Sequence, residues 1–525
     1  MNFQAYTLQK HPEWACIQVK APDSEARTPV HLCCVIDTSA SMESERKLEN
    51  VKQSLQFLLD FLGPQDSISV ITFSEKAHTI LKQTAVTSTE KDNIRARISI
   101  IHVESNTNLS AGIVEARDSL QIDSSNIKQG ILLLTDGVAN LGLTRPSDIL
   151  ELVRNTINKF SGTSISSVGY GTDHNVELLQ NISTEGGGSY YVVNNLEDVA
   201  VVFGDILGGL VSCASQQVRV IIPSGTEVKT RYATHTNGNK LEIVIGDMPA
   251  GMEAAFLAKI TINTPVSVKG YNLQTHEVFE LNTTVVATDD NDLQVNGEAH
   301  YLRFEVLTLL EASRTLLNRF ANTTDVNAHI QKIKDCIDTI NNYRRDHEHS
   351  LWDVLLEELN TCKTSLENRH QNPTDTPHIM TQHAGYLGRM RGLAATASQA
   401  PNLSPPFGAV PSDPSAVPPP LPIGRTFSNY VQRQISSGLA ATVTPYARQN
   451  AVSTSDPIHL PSNRTLTGSI PTPTPNRSPV TRFVTQLPPP IPEDFSLHPL
   501  LPPMGPLERQ VACGYYTAEP TNDSN

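Results

Sequence analysis

Between residues 29 and 211 the chain alternates short apolar runs with segments whose apolar residues recur at helical spacing. The run over 29–36 is nearly continuous in apolar residues, which is typical of a strand covered on both faces of a sheet. Strands that alternate with helices predict an α/β fold with a doubly wound, mostly parallel sheet and helices on both faces. The first predicted helix has apolar residues three or four apart and ends at Gly63-Pro64; they are Leu48, Val51, Leu55, Leu58, Leu59 and Leu62.

The later segments continue this alternation. We expect strands over 67–73, 130–135, 164–170 and 189–193. We expect the intervening helices over 88–98, 108–120, 147–160, 173–183 and 196–211.

Two of these predicted strands end in oxygen-bearing side chains, and a loop between them carries one more. The run that ends at residue 36 leads into the pattern D-x-S-x-S, and the strand over 130–135 leads into T-D-G. Because the carboxyl ends of parallel strands meet at one edge of a sheet, we expect these side chains to lie together. Hard divalent cations prefer oxygen ligands. The sequence therefore predicts a cation site formed by Asp37, Ser39, Ser41, Thr107 and Asp136.

The same residues resemble those of the von Willebrand factor A (vWA) domain with its metal-ion-dependent adhesion site. The likeness covers about residues 29–212 and rests on DTSAS, NTNLSAG and TDG, with SVGYGTDHN and GGGSYYVV in support. The resemblance implies a Rossmann-like sheet and a bound Mg²⁺ (or Mn²⁺ or Ca²⁺) at the carboxyl edge of its strands.

The resemblance also implies a role for each ligand. Ser39 and Ser41 would supply neutral hydroxyls, Asp37 and Asp136 would supply charge partly through water, and Thr107 would join when the site is engaged. One coordination position stays open, and in the family an acidic side chain of a partner protein fills it. The alternative is that both aspartates only cap helices and the domain is a metal-independent scaffold.

The rest of the chain divides by its patterns. Short alternating strands with turn signals predict an antiparallel β-domain, and three amphipathic segments predict a helical hairpin or bundle. Self-association through that helical segment is the alternative to intramolecular packing. Beyond it, a tail rich in Pro, Ser and Thr cannot support a core, so disorder is expected. The predicted regions are 1–28 (N-terminal strand segment), 29–212 (vWA), 213–297 (β-domain), 298–370 (helices) and 371–525 (tail).

Two proline runs in the tail favour the polyproline II conformation. Segments of this kind dock on SH3 or WW domains, so partners of that type are one interpretation and a solubilising tether is the other. The runs are Pro418–Pro422 and Pro488–Pro492.

Charge, cysteines and hydropathy exclude several classes of protein. The net charge of −14 repels nucleic acid and anionic lipid. None of the seven cysteines forms C-x-x-C, so the spacing excludes zinc ribbons and RING modules. The longest apolar stretch, Val199 to Val211, is too short for membrane insertion, and the first residues lack an apolar signal core. We therefore expect a cytoplasmic protein.

We expect no enzyme activity. A nucleophilic Ser39 or Ser41 would need an activating base, and no histidine near them in sequence lies in a recognisable motif. The chain has no phosphate-binding loop and no G-x-S-x-G.

The domain order resembles two known arrangements. One is that of the inter-α-trypsin inhibitor heavy chains, which are secreted. The other joins a zinc RING to a vWA domain in plant and fungal ubiquitin ligases. The function expected is an adaptor whose metal site binds an acidic partner, and the alternatives are the substrate-binding component of a ubiquitin-ligase-type assembly or a metal-independent scaffold.

Overall fold

The computed structural model describes most of the first 368 residues and three short pieces of the tail. The proline runs of the tail lie outside the described residues, and so does Gly137 of the T-D-G motif. The described residues are 1–23, 26–120, 127–136, 139–160, 162–171, 174–193, 198–318, 323–368, 394–395, 432 and 435–440.

The chain begins with two strands that belong to a sheet described further below, and then forms the strands and helices of an α/β unit. The strands are β1 (Asn2–Thr7), β2 (Ala15–Lys20), β3 (Val30–Asp37), β4 (Ser67–Phe73), β5 (Ala77–Ala85), β6 (Lys128–Thr135), β7 (Thr163–Tyr170) and β8 (Gly187–Val193). The helices are α1 (Lys47–Phe61), α2 (Lys91–Ser99), α3 (Leu109–Asp118), α4 (Pro146–Lys159), α5 (Val176–Glu185) and α6 (Asp198–Val211).

Six of these strands form one sheet in the order β5-β4-β3-β6-β7-β8. All neighbours are parallel except β5, which runs antiparallel to β4 at the edge. The predicted α/β fold with a mostly parallel sheet is confirmed. The sequence did not predict β5 because only Leu81 of its nine residues is buried, which leaves a weak apolar pattern.

Helices cover both faces of this sheet. Successive residues of a strand point to opposite faces, so Cys34 and Ile36 pack in one hydrophobic cluster with α1, α2 and α6. Cys33 and Val35 pack in a second cluster with α3, α4 and α5. The continuous apolar run of β3 therefore has the two-sided burial that its sequence indicated.

Seven more strands follow α6, and they form two antiparallel sheets. One sheet has the order β11-β12-β9-β14-β15. In the other, β13 pairs with β10 and also with β2, whose second neighbour is β1. The strands are β9 (Cys213–Pro223), β10 (Val228–Lys229), β11 (Ala233–Asn237), β12 (Lys240–Pro249), β13 (Met252–Ala258), β14 (Pro265–Asn272) and β15 (Glu277–Thr284).

The N-terminal segment is thus part of the β-domain rather than a segment of its own. Five of the six residues of β2 are buried, which requires cover on both faces and a paired strand on each side. Sequence analysis gave residues 1–28 as a strand segment but did not pair them with residues 252–258. Such long-range pairing is a property of the folded chain.

Three helices pack on this β-domain: α7 (Asn291–Asn318), α8 (Thr323–Arg344) and α9 (Leu351–Asn368). The sequence placed the start of the helical region at 298, whereas α7 begins at Asn291. The carboxylate of Asp290 accepts hydrogen bonds from the N–H groups of Asp292 (3.0 Å) and Leu293 (3.2 Å), which caps the helix there. The apolar faces of the helices and of both sheets share one hydrophobic cluster.

A buried ion pair joins the α/β unit to the β-domain. The Nζ atom of Lys128, at the start of β6, lies 2.8 Å from Oδ2 of Asp247 in β12. The Lys128 side chain is fully buried and also donates to the carbonyl of Gly162. The amino-terminal end of β6 is therefore fixed against the antiparallel sheet that contains β12, because the buried charge of Lys128 needs Asp247 as its partner.

Two pieces of the predicted disordered tail have regular structure. Strand β16 (Ala394–Ala395) pairs with the first two residues of β13. Residues 435–440 are helical, with Ile435 and Leu439 buried against the α/β unit. Disorder therefore does not apply to these residues. Within the described part of the chain, no helix is both long enough and apolar enough to span a membrane.

The position of β2 leads to a first prediction. We expect Ile17→Ala, which deletes a fully buried side chain, to lower the free energy of unfolding by about 2–5 kcal/mol. The matched control is Ile262→Ala, whose side chain is 48% exposed and should change it by less than about 0.5 kcal/mol. Urea unfolding followed by circular dichroism measures both. Equal stabilities of the two variants would contradict the placement of the N-terminal strands.

Candidate metal-binding and interaction site at the carboxyl edge of the sheet

Two neighbouring strands bring two aspartates to the same edge of the sheet. Asp37 is the last residue of β3, and Asp136 directly follows β6. The two strands pair in parallel up to Ile36 and Leu134, so the carboxylates leave the sheet side by side. Both residues are almost completely buried.

The Asp37 carboxylate is held by its neighbours. Oδ1 accepts a hydrogen bond from the Ser39 N–H at 2.8 Å, and Oδ2 accepts one from the Thr135 hydroxyl. Burial nevertheless raises the pKa of Asp37 to about 6, because its hydrogen bonds only partly replace water and the charge of Asp136 adds repulsion. The site therefore contains a buried acidic group that a cation would stabilise in its ionised form.

The two serines of the motif converge. The Oγ atoms of Ser39 and Ser41 are 3.1 Å apart. Ser39 has an extended backbone (φ −63°, ψ 162°) and precedes the short 3₁₀ segment Ala40–Arg46, which is interrupted at Ser44 and Glu45. Ser39 is buried and Ser41 is exposed, so the pair reaches from the aspartates to the solvent.

Asp136 has one oxygen without a partner and one oxygen near a cation. Its Oδ1 is buried and receives no hydrogen bond from the described residues. Its Oδ2 lies 3.5 Å from Nζ of Lys47, and both side chains are only 2% exposed. A buried carboxylate oxygen without a donor is costly unless a ligand satisfies it.

The loop that carries Thr107 is attached to the motif by backbone hydrogen bonds. The Glu104 N–H donates to the Thr38 carbonyl at 2.6 Å, and the Ala40 N–H donates to the Ser105 carbonyl at 2.9 Å. Thr107 is 3% exposed. Its N–H donates to Oδ1 of Asn140 at 2.9 Å.

A further side chain, Glu75, holds the exposed tip of this loop. Its Oε1 accepts hydrogen bonds from the Ser105 hydroxyl at 3.1 Å and from Nδ2 of Asn106 at 2.7 Å. The structure therefore brings the five predicted residues to one edge, with Thr107 joined through its loop rather than by a side-chain bond to the other four.

Sequence reasoning missed Lys47 and Glu75. A signal for Lys47 was present, since it lies four residues before Val51 and therefore on the apolar stripe of α1. A charged residue on such a stripe needs a partner. Glu75 gave no signal, because its role depends on a loop 30 residues away in sequence.

The donor set suits a hard divalent cation. Two carboxylates and three hydroxyls are oxygen ligands of the kind that Mg²⁺, Mn²⁺ and Ca²⁺ take. Within the described residues, no group of three or more His, Cys, Asp or Glu side chains is placed to hold a metal. Only two of the five donors are carboxylates, so a divalent cation bound here would have mostly neutral oxygen ligands.

The histidines in β3 and shortly after β7 have hydrogen-bond partners of their own. The ring nitrogens of His31 lie 2.9 Å from the Ser69 hydroxyl and 3.5 Å from Oε1 of Gln129. His174 contacts the Gly171 carbonyl and the Tyr190 hydroxyl. Their hydrogen bonds hold these rings in the sheet and its adjoining loop.

Comparison with known proteins agrees with the fold. Residues 31–205 match the model of the von Willebrand factor type A domain. The uncharacterized protein YfbK of Escherichia coli (strain K12) is 28% identical over 262 residues, which are 47% of this chain and 44% of that protein. Inter-alpha-trypsin inhibitor heavy chain H4 of Bos taurus is 32% identical over 175 residues, 32% of this chain and 19% of that one.

A solved structure shows the same fold. The von Willebrand factor type A protein from Catenulispora acidiphila superposes with a TM-score of 0.51 at 14% identity, over 66% of this chain and 85% of that chain. Residues 31–205 thus match the vWA domain, and over this part the chain is related to the inter-alpha-trypsin inhibitor heavy chains. Domains of the vWA family are modules of protein–protein interaction. The chain spans less than half the length of the two curated relatives.

The Lys47–Asp136 pair leads to a second prediction. We expect Lys47→Met to lower the free energy of unfolding in EDTA by about 3–5 kcal/mol, because Asp136 is left as an unpaired buried charge. Saturating Mg²⁺ should restore much of that loss, since a bound cation again balances the charge. The measurement is urea unfolding with and without Mg²⁺.

The control is Lys52→Met on the same helix. Lys52 forms an i,i+3 pair with Glu49 and should contribute at most about 1 kcal/mol. Equal losses for both lysines in EDTA would argue against the role of Lys47 at the site.

Proposed function

We propose that this chain is a divalent-cation-dependent protein-binding module. Its vWA domain would bind Mg²⁺, or Mn²⁺ or Ca²⁺, and would dock an acidic side chain of a partner protein. The observation that carries this proposal is the buried Oδ1 of Asp136, which lacks a hydrogen-bond donor among the described residues. It lies at the edge where Asp37 and two converging hydroxyls also point.

Each residue has a role that its surroundings support. Ser39 and Ser41 would be direct neutral ligands, because their Oγ atoms are close enough to share one ion. Asp136 would contribute its free oxygen, and Asp37 would contribute negative charge while bonded to Thr135. Thr107 would enter from its tethered loop. The cation would supply the positive charge that attracts a partner's carboxylate.

Binding at such a site needs no reaction, and we propose that the chain is not an enzyme. The bond between the cation and one acidic side chain of the partner would provide specificity, and the loops around the edge would provide contact area. The net charge of −14 repels acidic partners from the rest of the surface. An acidic side chain would therefore bind preferentially at the cation.

We propose a cytoplasmic location for the protein. The support is the state of the cysteines, since the six in the described residues are free and five of them are buried. Burial raises the pKa of Cys33 to about 12, which keeps that thiol unreactive. A reducing compartment suits a chain of this kind. In the same setting, the proline runs of the tail would recruit SH3- or WW-type partners.

A second candidate function is a metal-independent scaffold. The observation in its favour is Lys47, whose ammonium group already lies 3.5 Å from Asp136 and balances one buried charge without a metal ion. On this hypothesis the edge of the sheet would still bind partners, but EDTA would have no effect.

Calorimetry separates the two candidates. We expect Mg²⁺ or Mn²⁺ to bind the full chain with one site, and Asp136→Ala to weaken that binding by about 10- to 100-fold or more. The matched control is Asp92→Ala, whose side chain is 93% exposed and should bind the cation as the unchanged chain does. An affinity pull-down with and without EDTA then identifies partners that are lost in EDTA and lost with Asp136→Ala. Absence of any heat of binding would support the scaffold instead.

The pKa of Asp37 gives the pH dependence. Its folded-state pKa of about 6 lies above the ordinary value of 3.8, so a proton competes with the cation as pH falls through 6. In EDTA the raised pKa contributes stability that is present below about pH 4 and is lost as pH rises through 6, at about 3 kcal/mol for the whole shift. We expect the increase in Tm caused by Mg²⁺ to be large at pH 7.5 and small at pH 5. Thermal melts of the unchanged chain and of Asp37→Asn, which has no proton to lose, measure this difference.

A further inference from the structure

The last helix of the vWA domain carries glycines where another part of the chain approaches it. In α6, Gly204 and Gly208 lie one turn apart and on the same face. A Cβ atom added at Gly208 would lie 2.5 Å from Cα of Gln432, and one added at Gly204 would lie 2.6 Å from Cα of Ser436. The backbone of the tail therefore lies directly against α6, at a distance that other residues would not permit.

The tail residues at this contact are bonded and buried. Nε2 of Gln432, a residue only 6% exposed, donates a hydrogen bond to the Asp205 carbonyl at 2.8 Å. Ile435 is 1% exposed and Leu439 is 0% exposed. Both belong to the hydrophobic cluster that α1 and α6 form on one face of the central sheet.

Small residues also permit close contact with α1. A Cβ atom added at Gly438 would lie 2.8 Å from the ring of Phe61, the last residue of α1. Phe57, one turn earlier, packs against the same cluster. The surface that receives the tail is therefore a groove with α6 on one side and the end of α1 on the other. We name it the α1–α6 groove.

The contacting residues have the spacing of a helix bound in a groove. Gln432, Ile435, Ser436 and Leu439 are at positions i, i+3, i+4 and i+7, which is the pattern by which amphipathic helices dock on grooves of other proteins. Residues 435–440 are helical in a segment whose composition otherwise argues against a core. A short helix with two aliphatic anchors binds weakly by itself. Its attachment to the same chain raises its effective concentration to about the millimolar range.

We propose that the α1–α6 groove is a binding site for a short helix and that Gln432 together with residues 435–440 is its reversible intrachain ligand. The recognised pattern is Gln-x-x-Ile-Ser-x-x-Leu, read by the Asp205 carbonyl, the glycine face of α6 and the aliphatic cluster. The groove is separate from the cation site in its residues and in its chemistry. The proposal therefore does not depend on metal binding, and its tests are made in EDTA.

Paired glycine substitutions in α6 test the groove from one side. Gly208→Ala would place a Cβ 2.5 Å from the backbone of Gln432, whereas the Cβ of Gly209→Ala would come no closer than 3.3 Å to any described residue outside α6, the nearest atom being Nε2 of Gln432. Alanine also favours the helix, so α6 stays folded in both variants. We expect hydrogen exchange of the full chain to show about 10-fold or greater loss of amide protection over residues 435–440 with Gly208→Ala and no change with Gly209→Ala. Identical exchange in the two variants would overturn the proposal.

Substitution in the tail tests the groove from the other side. Leu439→Glu buries a charge and should release the segment without altering α6. A labelled peptide of residues 428–442 should then bind the Leu439→Glu chain about 100-fold more tightly than the unchanged chain, whose own tail occupies the groove. Leu460→Glu, the same change elsewhere in the tail, is the control and should behave as the unchanged chain does.

Two outcomes of the peptide experiment would overturn the proposal. Equal affinity for the unchanged and the Leu439→Glu chains would mean that the tail does not occupy the groove. Retained affinity in a Gly208→Ala, Leu439→Glu double variant would mean that the peptide binds elsewhere. Light scattering gives a third check, because a dimer that Leu439→Glu dissociates would place the segment on a second copy and contradict intrachain binding.

Discussion

The burial of two carboxylates at one edge of the parallel sheet is the constraint on which the site depends. Asp37 and Asp136 leave neighbouring strands in the same direction, into a region with little water. One charge is partly offset by the Ser39 N–H and the Thr135 hydroxyl, and the other by Lys47. These offsets are incomplete, since an Asp136 oxygen stays unsatisfied within the described residues. This incomplete compensation is the observation on which the proposed cation site rests.

The strands can hold such charges because apolar packing fixes them from both faces. Hydrophobic clusters on either side of the sheet hold β3 and β6 rigid, and the Lys128–Asp247 pair fixes the opposite end of β6 against the β-domain. Unpaired polar groups at the carboxyl edge lower the stability of the domain. The hydrophobic clusters and the Lys128–Asp247 pair offset this loss. The β-domain in turn is completed by the N-terminal strands and by three helices that share its hydrophobic cluster.

The tail adds an intrachain contact to this frame. Its composition cannot form a core, but the segment around Ile435 and Leu439 completes a cluster that already exists on the vWA domain. Glycines in α6 make that approach possible. A protein with a cation-dependent edge and a separate helix-binding groove could engage two partners by different chemistry, one through charge and the other through apolar contact.

The sequence by itself determined the α/β fold, most element positions and the proximity of oxygen-bearing side chains at one edge of the sheet, because strand and helix periodicity and the D-x-S-x-S and T-D-G patterns are local signals. Tertiary structure alone decided the pairing of β2 with β13, the antiparallel edge strand β5, the placement of Lys47 beside Asp136 and the docking of Gln432 and residues 435–440. Each of these joins parts of the chain that local patterns do not relate. These contacts form where apolar side chains are still exposed to water, or buried charges still lack an opposite charge, after the main strands and helices have packed.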